Sequence, residues 1–181
     1  MRFICFLAVG FMIVPSAQAF DFHKMYTEAG ITANTVDTGK DKYRPLTVSA
    51  KLAYVLSPNF SIETNIATNV HKSEKEAQQL KLRNLTGLYL RYGSPLIDKD
   101  YTAYLSAGYS YATLDITDAR GNYFKDHKGF TFALGLEKKI PSQKIKLVLE
   151  YFRFTDDKTK DFVISGFTIG VRTPVFCECT N

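Results

Sequence analysis

From residue 128 to residue 154, apolar and polar side chains alternate with a period of two. Phe130, Phe132, Leu134 and Leu136 fall on one parity, and Thr131, Ala133, Gly135 and Glu137 on the other. Pro141, Ser142 and Gln143 break the run. Ile145, Leu147, Leu149 and Tyr151 then alternate with Lys146, Val148, Glu150 and Phe152. A period of two marks a strand with two unlike faces, and two such runs joined by a few turn residues predict a hairpin. One face is greasy and aromatic; the other is small, polar or charged.

The same contrast predicts six more strands, over 24–36, 45–56, 60–71, 80–92, 101–116 and 161–175. Ile31, Val48, Ile66, Leu80, Leu82, Leu88, Leu105 and Ile169 stand on the greasy parity. The connections alternate in character. Ser57-Pro58-Asn59, residues 93–100 and Pro141-Ser142-Gln143 are turn-like. Residues 37–44, 72–79, 117–126 and 155–160 are more charged and usually longer. Each strand is long enough to cross hydrocarbon at a tilt, which takes roughly 9–11 residues.

Alternation alone does not name the inner face, because a secreted ligand-binding barrel would turn its apolar side inward. Three features favour the membrane version. The polar face mixes Gly, Ser, Ala and Thr with opposite charges, which suits a narrow lumen. Aromatic residues of the greasy face gather near strand ends: Tyr54, Phe60, Tyr92 and Tyr101 by the turns, and Tyr109, Tyr111, Phe130 and Tyr151 towards the loops. That distribution matches two interfacial girdles. All the strands are also long enough to span. The predicted fold is all-β: an eight-stranded antiparallel up-and-down transmembrane barrel, with both termini on the turn side, which is periplasmic in such barrels.

Residues 1–19 are excluded from that fold. Arg2 precedes an apolar run over 3–14, Pro15 ends it, and Ala17-Gln18-Ala19 is a small-x-small cleavage pattern. This is the layout of a secretory signal peptide and is too short for a spanning helix. The expected organisation is a signal peptide at 1–19, a barrel over 20–176 and a short tail at 177–181. Lys and Arg number 23 against 18 Asp and Glu. The surplus is scattered, so nucleic acid is not an expected partner. Cys177 and Cys179 sit in the tail, too few for a disulfide framework or a zinc site.

The whole mature chain resembles, in pattern, the small eight-stranded outer-membrane barrels of Gram-negative bacteria, the OmpX/Ail and OmpA-type transmembrane domains. Leu147-Val148-Leu149-Glu150-Tyr151 and Thr168-Ile169-Gly170-Val171-Arg172 are the most similar stretches. The chain departs from that family at its end, where Phe176 is followed by five residues instead of closing the sequence as an aromatic. The resemblance implies a monomer in the Gram-negative outer membrane. It implies contact with outer-membrane lipid and lipopolysaccharide, with the barrel assembly machinery and, through the loops, with host or extracellular ligands. The role it implies is envelope integrity or surface contact, including adhesion.

The inward parity carries Glu28, Lys51, Glu63, Arg83, Arg91, Glu137, Lys139, Lys146, Glu150 and Arg172. Neighbouring strands alternate in sign, and buried charges must be paired. The expectation is a structural ion-pair network plugging the lumen, with Glu63 beside Arg83, Glu28 beside Lys51, Glu137 facing Lys146 and Arg172 closing towards Glu28. Two other functions remain open. A narrow pore or small-molecule carrier would need a path that eight strands barely leave. A lipid-modifying enzyme would need a nucleophile, base and orienting acid in reach. His71 with Ser73, and Asp126 with His127, lie at loop-side strand ends without a spacing that assembles them. No phosphate-cradling glycine loop or metal-ligand cluster is present, so no cofactor is expected.

Overall fold

The computed structural model describes residues 24–75, 78–96, 100–119, 121–141, 144–159 and 161–175. The expected signal peptide, Phe176 and the tail with Cys177 and Cys179 lie outside the described residues. The strands in chain order are β1 (Met25–Asp37), β2 (Lys42–Tyr43), β3 (Leu46–Val55), β4 (Phe60–His71), β5 (Ser73–Lys75), β6 (Gln78–Pro95), β7 (Tyr101–Asp118), β8 (Gly121–Lys139), β9 (Lys146–Asp156) and β10 (Val163–Pro174). β2 and β5 are short pieces within loops. The other eight pair antiparallel with their neighbours, and β10 pairs with β1 to close the sheet into a barrel.

The closure is staggered. From Thr27 the pairings run through Leu52, Thr64, Leu88, Tyr109, Phe130, Thr155 and Val163, and return to β1 at Asp37. A stagger of ten residues around eight strands requires tilted strands, and the interior is narrow enough for side chains to fill.

The greasy parity faces out. Ile31, Ile66, Leu134 and Phe167 are exposed, and Ile169 is 70% exposed. A continuous apolar band of this extent fits hydrocarbon, not water. Phe60 packs on Tyr92 at the turn side (5.0 Å between centroids); Tyr109 on Phe130 (5.5 Å) and Tyr151 on Phe167 (4.9 Å) mark the loop side. The aromatic positions thus form two rims around the apolar band.

Two elements differ from the pattern-based expectation. A β-bulge interrupts the β6–β7 ladder between Leu82 and Asn84. The extra residue flips the parity of everything before it. Leu80 and Leu82, expected on lipid, are buried in the interior, and Arg83, expected in the lumen, is exposed. The segment 117–126, expected as a polar loop, is mostly strand. β7 and β8 run on as a long hairpin up to the pair Asp118–Gly121, with Gly121 at φ +116°. Thr117 and Asn122 pair across it because their alternation continues that of the strands below.

Candidate functional site

The barrel interior is layered. The turn-side layer holds four acids and four bases. Lys51 of β3 reaches across to Glu150 of β9 (Nζ to Oε2 2.6 Å, to Oε1 2.7 Å) and lies 3.2 Å from Glu28. The Arg172 guanidinium donates to Glu28 through Nε (3.0 Å) and Nη2 (2.8 Å), and to Glu63 through Nη2 (2.7 Å). Its Nε also lies 3.2 Å from Glu137. Arg91 bridges Glu63 (3.1 Å) and Glu137 (2.6 Å), and Lys146 reaches Glu137 at 3.0 Å. The Tyr104 hydroxyl donates to Glu150 (2.9 Å), and the Arg91 guanidinium lies 3.7 Å from the centre of the Tyr104 ring.

Charges so deeply buried persist only when paired and hydrogen-bonded. The register explains their meeting. Glu28 stands opposite both Arg172 and Lys51. The bonds of Lys51 to Glu150 and of Arg172 to Glu63 and Glu137 cross the lumen instead of following the sheet. Gly135 permits part of this: a Cβ there would stand 2.3 Å from the Tyr104 ring. The ring lies over the glycine opposite it in the register and is thereby aimed at Glu150.

Above the charges lies a belt of hydroxyls and amides. Thr32 bonds Thr168 (2.8 Å), Asn34 donates to Thr47 (2.9 Å), and Ser110 joins Tyr89 and Thr131 (2.7 Å each). The cavity here has a volume of about 30 Å³, enough to hold ordered water among these polar groups. The loop-side layer is apolar: Val36, Leu80, Leu82, Leu114, Phe154 and Ile164 are fully or almost fully buried. His127 stacks on Phe162 (3.6 Å between centroids) and pairs with Asp156. Asp156 also accepts from the backbone N–H of Lys158 (2.7 Å), which ties the β9–β10 loop to this plug.

Of the residues expected in the network, Glu28, Lys51, Glu63, Arg91, Glu137, Lys146, Glu150 and Arg172 come together. Arg83 does not. The bulge turns it outward, where its guanidinium lies 4.8 Å from the centre of the Phe124 ring. Glu63 stands opposite Tyr89, and its partners are Arg91 and Arg172. Lys139 is exposed at the turn-side mouth. His71 is exposed, and Ser73 accepts from the Arg44 N–H at 2.9 Å. His127, read from sequence as a loop-edge residue, is buried because its parity on β8 points inward. Among the described residues no group of His, Cys, Asp and Glu is placed to hold a metal ion. The apolar plug was missed, although a signal existed. Towards the loops Leu114, Phe154 and Ile164 put large apolar side chains on the inward parity.

A family model described as "Outer membrane protein beta-barrel domain" matches residues 4–172. The chain belongs to this family. The family's place is the outer membrane, in keeping with the lipid-facing band. No curated protein matches the sequence. Solved structures share the fold at low identity. Neisserial surface protein A is 14% identical with a TM-score of 0.66, covering 83% of this chain and 97% of that one. Ail, the attachment invasion locus protein of Yersinia pestis, is 13% identical at 0.56, covering 82% and 97%. OprG of Pseudomonas aeruginosa is 11% identical at 0.58, covering 82% and 95%.

Proposed function

We propose that this outer-membrane barrel is a closed, non-conducting and non-enzymatic protein that acts in envelope integrity and surface contact through its outer wall and loops. The supporting observation is the filled interior. An ion layer, a polar belt around a cavity of about 30 Å³ and a mostly apolar plug follow one another along the axis. A hydrated ion would have to displace paired charges and then enter a dry layer, both costly. Any contact with partners is therefore assigned to the outside. The name of Ail refers to attachment; for this chain, contact with host or extracellular ligands is proposed on the loops and on the β7–β8 hairpin, where Tyr123 and Phe124 are exposed. Export through cleavage after Ala19 and assembly as a monomer belong to the same reading.

The test joins planar-bilayer recording to an envelope assay. The purified barrel should give no steady conductance, and deleting its gene should raise sensitivity to detergents and bulky hydrophobic antibiotics. Stable ohmic steps would refute the closed reading. A changed lipid A profile in His71→Ala or Ser73→Ala cells would refute the non-enzymatic one.

A further inference from the structure

The turn-side end of the barrel carries an uneven charge. The ion layer closes on itself with four acids and four bases. Beyond it, Lys24, Lys138, Lys139 and Lys144 stand against one acid, Asp100, among the described residues at this end. Lys138 is on the lipid-facing parity, where its ammonium lies 5.3 Å from the centre of the Tyr101 ring. Lys139 is on the other parity, at the lumen mouth, and stands directly across the β8–β9 hairpin from Lys146. Like charges opposite each other in a ladder are destabilising, and a local conflict of this kind is expected where a residue serves function. Lys144, in the turn between the two strands, is exposed like Lys139. At the same mouth a cavity of about 470 Å³ is lined by the turn residues Ser57 and Asn59, by Thr102, and by Arg91, Lys146 and Arg172 of the ion layer. The acid of its lining, Glu137, is already shared by those three cations. Arg91 is buried, and its Nε meets no hydrogen-bond acceptor among the described residues.

We propose that this mouth binds carboxylates of the peptide stems of the cell wall, with Lys139 and Lys144 as the capturing charges and the polar cavity receiving the peptide. Ammonium groups make charge-assisted hydrogen bonds to carboxylates. Each such contact is weak at an exposed site, but a polymer that repeats its carboxylates adds them up. Lys139 and Lys146 share the inward parity, so they serve a ligand on the barrel axis. Lipid headgroups lie around the outer wall instead, where Lys138 stands. The ligand stays outside the ion layer and leaves the lumen closed. The proposal rests on the envelope-integrity reading and gives it a periplasmic contact. That reading fails separately, if deleting the gene leaves sensitivity to detergents unchanged.

The full mature barrel, folded in detergent micelles, is mixed with purified sacculi or with sacculi whose carboxylates have been amidated, and the bound fraction is measured by co-sedimentation. Soluble stem peptide, or phosphatidylglycerol doped into the micelles, is added as competitor. Folding of every variant is checked by its heat-dependent gel shift. Untreated sacculi should carry down the natural chain, and the Lys139→Gln/Lys144→Gln pair should weaken that binding about fivefold or more. The Lys139→Arg/Lys144→Arg pair should keep most of it, and Lys40→Gln, remote on the first loop, should change nothing. Failure of the natural chain to sediment, or equal binding by the natural chain and the Gln pair, would overturn the site. Equal binding to amidated sacculi would overturn the carboxylate. Displacement by phosphatidylglycerol as complete as that by the stem peptide would overturn the cell wall as its source.

Discussion

Lys51 and Glu150 face each other from opposite walls of the lumen, and their coupling should be large. Lys51→Met removes the ammonium that bonds both oxygens of Glu150 and stands by Glu28. Glu28 keeps Arg172, but among the described residues Glu150 keeps only the Tyr104 hydroxyl. A carboxylate stranded in this way typically costs ~3–5 kcal/mol. At an effective dielectric of about 20, the attraction at this contact is roughly 6 kcal/mol, most of it offset by desolvation of the two ions. The pair as a whole therefore contributes little net stability, while either member alone is a liability. Glu150→Gln should be milder, since Lys51 retains Glu28. The double variant Lys51→Met/Glu150→Gln should recover about 2–3 kcal/mol relative to the sum of the singles, the upper range for groups in contact. The assay is the urea midpoint of the refolded barrel in lipid, followed by its heat-dependent gel shift. Additive losses would refute the cross-lumen account of the pair.

Leu134 lies mid-strand on the lipid face and is exposed; Leu134→Arg should destabilise by ~2–4 kcal/mol in bilayers, whereas Thr131→Ser, which keeps the hydroxyl bonded to Ser110, should cost little by the same urea titration. Phe154→Ala should cost about 3–5 kcal/mol as a buried cavity yet leave planar bilayers silent, because the ion layer still fills the other end. Gly135→Ala should displace the Tyr104 ring from Glu150 and, in combination with Tyr104→Phe, should lose less than the sum of the two singles in the same gel-shift measurement.

The alternation of residues such as Phe132 and Thr131 exposed most of the fold in the sequence, because a period of two maps directly onto two faces. Pairs adjacent in the sheet, such as Glu28 with Lys51 and with Arg172, could be read from strand order. The bonds from Lys51 to Glu150 and from Arg172 to Glu63 could not, since strand order says nothing about what lies across the lumen. The bulge at Arg83 defeated the parity rule locally: one extra residue carries no signature in composition, and it exchanged the roles of Leu82 and Arg83. The long β7–β8 hairpin was hidden by its Asp, Asn and Gly content, which reads as loop although neighbouring strand pairing extends it.

Arg172 stands on the last strand, and its partners Glu28, Glu63 and Glu137 stand on β1, β4 and β8. Its bonds to Glu28 cross the seam where the two ends of the chain meet. Glu28, Glu63 and Glu137 each also have a cation on an earlier strand, Lys51 for the first and Arg91 for the other two, and Arg172 adds the bonds that join them to the last strand. The β1–β10 seam is thus held by charge as well as by the backbone ladder, and one side chain links it to two further walls of the lumen.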